Sequence, residues 1–382
     1  MVTTLSEADP GSRRRDAVRE QNRLCGEALA EERAGRLVRA ADRYRSAIGI
    51  NVANPTPYLF LGYVLQQQGY ADCATQAWSL AADLDARLVN AWRNPAVGGD
   101  VRERSRAADE AIRTHFTALH DKVMASFESE HPGCDIARIR NAIWCQTPLD
   151  KFSYNTPGQR PHVFYVPELA PIDVYESGAL DWHAQLESAA HIIREEFLAA
   201  SDSAADAARP YLSQTSDALG QEWEPIAQSL NWGAFHLYRQ GQANDALLRL
   251  FPRTLAVLEQ LPLLRTYAAP SEILFSVLQG NKHIPPHYGL SNTDLVVHLP
   301  VITTDESAIR VNGKDYPWQF GKVLAFDDSF LHESWNHSGD ARVNLLFEVW
   351  HPELTLHERA AISAGFEARD SWNRDRSIEA KP

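Results

Sequence analysis

The stretch GKVLAFDDSFLHESWNHSGDARVNLLFEVW, residues 321–350, decides how the rest of the chain is read. KVLAF is an apolar, strand-like run, DDS is a tight acidic turn, and His332 stands just beyond it. Ten residues later Arg342 opens a last apolar strand. Upstream, His287 precedes a second apolar run, 294–302, which carries His298 in its middle. Imidazole suits Fe(II), and a buried guanidinium can hold a carboxylate through two parallel N–H groups. Two histidines on separate strand units, with an arginine past the second, therefore point to non-haem iron chemistry with 2-oxoglutarate.

One feature speaks against that chemistry. The common iron face takes two histidines and a carboxylate, with the first pair spaced His-x-Asp or His-x-Glu. Here the sequence is His287-Tyr288-Gly289, so glycine stands at the carboxylate position. Asp327 and Asp328 are candidates for a replacement ligand, but Asp in a tight turn is expected to bond backbone amides instead. Ser276 lies on the strand before His287, where its hydroxyl can share a carboxylate with Arg342.

Working outward, strand-like runs occur at 162–166, 234–238, 272–279, 294–302, 307–311, 322–326 and 343–349. Short strands at close spacing predict a β-sandwich or barrel. Closure into a jelly roll would hide the strand edges and leave a mouth for a small ligand.

The motifs FS (275–276), PHYG (286–289), GKVLAFDDSFLHESW (321–335), Arg342 and EVWHPELT (348–355) together resemble the aspartyl/asparaginyl β-hydroxylase family. Weaker similarity reaches back through YRQGQ (238–242) toward residue 160. The resemblance accounts for Gly289, because the family is known for iron held by two histidines without the carboxylate. It implies Fe(II), 2-oxoglutarate and O2 as cofactor and cosubstrates, with His287 and His332 as metal ligands. It also implies Arg342, Ser276 and His298 as 2-oxoglutarate contacts, with Tyr238 beside the cosubstrate. The implied fold is a double-stranded β-helix of the jelly-roll or cupin kind.

At 382 residues the chain exceeds one typical domain. Residues 1–18 are polar and charged and are expected to be disordered. Residues 19–150 form an expected all-helical domain, 151–368 the catalytic domain, and 369–382 a frayed tail. The class is therefore α+β. Within the helical region Gly35 recurs as Gly69, Ala40 as Ala74, Tyr44 as Trp78 and Ala47 as Ala81, always 34 residues apart. That period, with glycine at the turn and small or aromatic residues on packing faces, resembles the tetratricopeptide repeat. It serves either as a groove that presents a peptide or partner, or as a module that buttresses the next domain.

The net charge of −13 argues against a nucleic-acid or anionic-membrane partner. No apolar run is long enough to span a bilayer and no secretory signal is visible, so a cytoplasmic location is expected. The four cysteines show no metal-ligand spacing and read as free thiols.

Alternation along a strand puts Asp294 and Val296 on the same face as His298. In the relatives that act on acidic residues, arginines occupy this face and grip the substrate carboxylate. An acid and an apolar residue here imply a substrate that is neutral or cationic at this end, a peptide or an amino-acid-derived molecule. The enzymatic alternative is hydroxylation of a lipid acyl chain. A non-catalytic binding protein is the alternative from another class. Gly289 also leaves room for a halide on the metal.

Overall fold

The computed structural model describes residues 10–201, 205–214, 219–266 and 269–379. It contains two compact units, one of residues 1–122 with 368–382 and one of residues 123–367. The expected boundary at 150 thus lies inside the second unit. Residues 1–9 of the expected disordered segment lie outside the described residues, and the rest of it is helical.

The first unit opens with helices α1 (Pro10–Arg33), α2 (Leu37–Ile50), α3 (Pro55–Gln67) and α4 (Ala71–Leu84). Consecutive helices pack as antiparallel neighbours because the connections are only a few residues long. Gly35 and Gly69 end α1 and α3 with φ of 75° and 86°, a backbone state that costs glycine nothing. Asn54 caps α3 by accepting the Thr56 amide hydrogen at 3.0 Å, and Pro55 follows at the first helical position. The 34-residue period is a period of structure. Ala40, Ala47, Ala74 and Ala81 are fully buried, and Tyr44 and Trp78 fill matching places beside them. Gly62 lies so close to the Trp78 ring that a Cβ there would meet the indole nitrogen at 2.4 Å. The tail is ordered from 369 to 379, and residues 380–382 lie outside the described residues. Helix continues to Asp375, Arg376 donates to Ser79 Oγ at 2.7 Å, and Ile378 joins the helical core.

In the second unit the strands are β1 (Val174–Tyr175), β2 (Arg209–Pro210), β3 (Trp232–Arg239) and β4 (Glu272–Leu278). Next come β5 (Lys282–His287), β6 (Asp294–Ile302), β7 (Ser307–Val311) and β8 (Lys314–Pro317). The last are β9 (Leu324–Phe326), β10 (His332–Asn336) and β11 (Arg342–Trp350). These form two antiparallel sheets, beside a separate two-stranded one of Ile143–Trp144 and Phe164–Tyr165 and a short strand Gln242–Ala243 paired to β3. The larger has the order β1-β9-β6-β11-β4-β3-β2, and the smaller β8-β7-β10-β5. From β4 onward the chain passes back and forth between them, with the β7–β8 hairpin as one visit to the smaller sheet.

Val343, Leu345, Phe347 and Val349 of β11 point to a core shared with helix Ala190–Ala200 and helix Pro252–Leu258. The alternate residues face the smaller sheet. There Leu346, Leu274, Val296 and Phe326 pack against Ile309 and Val311. The site lies on this inner face. Among the described residues no helix is long and apolar enough to cross a membrane.

Candidate active site

His287 and His332 are cross-strand partners in the register of β5 and β10, so a separation of 45 residues closes to direct contact. Their ring centroids are 4.0 Å apart. The Nδ1 of His287 meets the Pro285 carbonyl at 2.7 Å, and that of His332 meets the Phe330 carbonyl at 2.9 Å. A carbonyl only accepts, so each Nδ1 carries the proton and each Nε2 keeps its lone pair. Burial lowers the pKa of both rings. The effect pushes His332 down to about 3, with repulsion from His287 adding to it. Two neutral imidazoles held side by side in one tautomer are in the state that ligates a metal.

The third position is closed to a side chain at 289. A Cβ on Gly289 would lie 1.9 Å from Cγ and Oδ2 of Asp328. The Gly289 amide donates to the Asp328 carbonyl at 2.6 Å, which fixes that approach. The room left by the glycine thus holds the Asp328 carboxyl group, the space in which a halide was envisaged. Asp327 behaves as a turn residue, accepting from the Ser329 amide at 2.9 Å and from Gln159 Nε2 at 2.7 Å. Asp328 does not; its Oδ1 is buried without a partner. Among the described residues no three or more His, Cys, Asp or Glu side chains form a metal-holding group.

On the larger sheet the inner-face residues form a pocket rich in hydrogen-bond donors. Arg342 is 1% exposed, and its Nη1 donates to Ser276 Oγ at 3.2 Å and to the Ser276 carbonyl at 3.3 Å. Trp232 Nε1 donates to the same hydroxyl oxygen at 3.1 Å. Burial pushes the Arg342 pKa down to about 9. Arg342 Nε, His298 Nδ1, Trp318 Nε1 and both amide atoms of Asn344 are buried without partners. Leaving so many buried donors unmade is costly unless an acceptor-rich ligand meets them. A dicarboxylate has that chemistry. His298 sits between the Trp318 ring at 5.1 Å and the Phe326 ring at 5.6 Å, and Phe326 is 5.1 Å from His332. One phenyl ring thus links the donor pocket to the histidine pair.

Tyr238 is not in this group. The bulge between His236 and Tyr238 in β3 turns its ring to the helix-side core, and Trp232 supplies the indole beside Ser276. Trp232, Trp318 and Asn344 were not singled out from the sequence. The signal for Asn344 was present, a lone amide between Arg342 and Leu346 on the alternation of RVNLLFEVW.

At the other end of the face lie acids. Asp294 pairs with Trp350 and Val296 with Glu348 across β6 and β11. Asp294 is 9% exposed, so it does not point to solvent as a strand cap would, and its nearest partner is Thr293 Oγ1 at 3.4 Å. The half-buried Glu348 carboxylate has no hydrogen-bond or ion-pair partner among the described residues. Burial, with the Asp327 charge adding, raises the Asp294 pKa to about 7. Burial and repulsion from Asp294 hold Glu348 and Asp328 well above the carboxylate range.

The human aspartate beta-hydroxylase domain-containing protein 2 is 30% identical to this chain over 264 residues, 66% of this chain and 68% of that protein. The family described as aspartyl/asparaginyl beta-hydroxylase matches residues 187–352. This chain belongs to the aspartyl/asparaginyl β-hydroxylase family. The human aspartyl/asparaginyl beta-hydroxylase is 31% identical over 212 residues, 55% of this chain and 26% of that protein. An ornithine lipid ester-linked acyl 2-hydroxylase of Rhizobium tropici is 30% identical over 186 residues, 47% of this chain and 60% of that protein. The chain spans about a quarter of the length of the aspartyl/asparaginyl β-hydroxylases it matches. The family match takes in the donor pocket, both histidines and the acid end.

Proposed function

We propose that this chain is an Fe(II)/2-oxoglutarate-dependent dioxygenase that hydroxylates a C–H bond of a peptide or amino-acid-derived substrate. The observation that carries the reading is the pairing of two tethered neutral imidazoles with a buried arginine that lacks a counter-charge. His287 and His332 would hold the metal through Nε2. Arg342 and the Ser276 hydroxyl would take the distal carboxylate of 2-oxoglutarate, and His298 would hold the cosubstrate on its other side. The bound iron supplies a reaction in which one oxygen atom of O2 enters the C–H bond and the other enters succinate, with loss of CO2. The chain's own part is to orient these groups and exclude water, since Phe326, Trp318 and Leu346 wall the pocket with apolar surface.

The strands that pass back and forth between two facing sheets support a double-stranded β-helix. The buried 34-residue period supports a tetratricopeptide-like reading of the first unit, either as a packing module or as a groove for a peptide or partner. The unpaired acids Asp294 and Glu348, with apolar Val296 between them, favour a substrate that is neutral or cationic at that end. Hydroxylation of a lipid acyl chain is the second reading, favoured by the similarity to the ornithine-lipid enzyme.

The test is conversion of 2-oxoglutarate to succinate by the iron-loaded protein without substrate. His332→Ala should abolish it, and turnover that survives the change would sink the reading. Mass spectrometry for a +16 product in peptide and lipid pools then separates the two substrate classes.

A further inference from the structure

Asn344 is fully buried, yet neither its Nδ2 nor its Oδ1 has a hydrogen-bond partner. It lies on the inner face of β11, because its neighbours Val343 and Leu345 join the helix-side core. In register it faces Ser276 on β4 and Pro300 on β6. Pro300 has no N–H, and its carbonyl is already taken by the Gly321 amide at 2.9 Å. Ser276 Oγ already accepts from Arg342 and Trp232. No wall of the pocket is therefore placed to satisfy the amide. An unpaired carboxamide in a closed apolar setting is disfavoured relative to a leucine of the same size. Its position two residues along the strand from Arg342, about 7 Å by strand geometry, sets it beside whatever anion the guanidinium holds.

We infer that Asn344 is a further cosubstrate-binding residue, whose Nδ2 donates to the distal carboxylate held by Arg342 and Ser276. This rests on the 2-oxoglutarate reading above. The carboxylate then receives donors from two adjacent strands of the larger sheet, Arg342 and Asn344 on β11 and the Ser276 hydroxyl on β4. Oδ1 is left to accept from a water carried in with the ligand. Without the cosubstrate, the same amide makes the pocket less stable.

That opposition is what the experiment reads. The full chain is loaded with Mn(II) in place of iron. Binding of 2-oxoglutarate is measured by titration calorimetry, and thermal unfolding is followed with and without the ligand. Asn344→Leu should weaken binding tenfold or more while the unliganded melting temperature stays level or rises. Asn344→Asp, which sets a second carboxylate against the ligand, should weaken it further, and it serves where the leucine variant does not fold. Unchanged affinity in both variants would overturn the inference. So would a leucine variant whose unliganded melting temperature falls while its ligand-induced shift matches wild type, since that marks a structural amide. If the wild-type protein itself fails to bind 2-oxoglutarate, the underlying functional reading fails first, and the inference with it.

Discussion

The two ends of β11 hold ionisable groups of opposite kind, a buried guanidinium at one and a cluster of acids at the other. At one end Arg342 is buried with a hydroxyl and a carbonyl for company and no acid. At the other, Glu348 lies near Asp294 and Glu272 with no cation among the described residues to answer it. Folded proteins rarely bury charge without a partner, because desolvation costs several kcal/mol per ion. An unanswered guanidinium at one end, and carboxyl groups pushed toward their neutral form at the other, mark places that ligands complete. The arginine end matches a dianion. The acid end matches a cation or a neutral donor, and it would repel a substrate carboxylate.

The largest effect should come from the arginine end. Arg342→Met removes a charge-assisted pair and should weaken 2-oxoglutarate binding about 100-fold, some ~3 kcal/mol. The unliganded protein should melt no lower than wild type, because the lost cation had no counter-charge. A clear drop in melting temperature would show that Arg342 is a structural residue and would break the comparison. Next comes the seat of Asp328. Gly289→Ala forces the Asp328 carboxyl group out of its place, with an expected loss of ~1–3 kcal/mol by chemical denaturation. Adding Asp328→Ala should restore most of it, and an equally unstable double variant would mean the strain lies elsewhere.

The smallest effect belongs to the acid end. The folded-state pKa of Asp294, about 7, lies above the ~3.9 of an unfolded aspartate. The carboxyl group therefore costs no stability below pH ~4, and stability is lost as pH rises from about 4 to about 7. Asp294→Asn should remove that loss, making the variant more stable than wild type at pH 8 and equal to it at pH 4. The same change should weaken binding of a cationic substrate several-fold. A variant that matches wild type in stability at both pH values would mean Asp294 is solvated and not part of an unanswered cluster.

The sequence made the larger sheet readable and hid the smaller one. The runs 272–279 and 294–302 stand in the larger sheet as Glu272–Leu278 and Asp294–Ile302, and of the smaller sheet only 307–311 was visible. The strands Lys282–His287, Lys314–Pro317 and His332–Asn336 had no such signal, and two of them carry the histidine pair. KHIPPH holds two prolines, which normally demote a strand, and it survives here because β5 is an edge of its sheet. HESWN is polar at four of its five positions, so no apolar period marks it. His287 and His332 could thus be picked out by residue type, but their direct pairing could not, since register depends on partners 45 positions away. The Tyr238 expectation failed for a related reason. A bulge two residues earlier reverses which side of β3 faces the site, and nothing in YRQGQ announces it.

Each imidazole of the pair is oriented by the carbonyl two residues before it, Pro285 for His287 and Phe330 for His332. Many metal sites use a neighbouring carboxylate for this purpose, and one substitution can then unmake the orientation. A main-chain carbonyl is present whatever the residue. The tautomer that exposes both Nε2 atoms is therefore shielded from point mutation anywhere except at the histidines themselves. Variation in the surrounding side chains is free to alter what the enzyme accepts without disturbing how it would hold its metal.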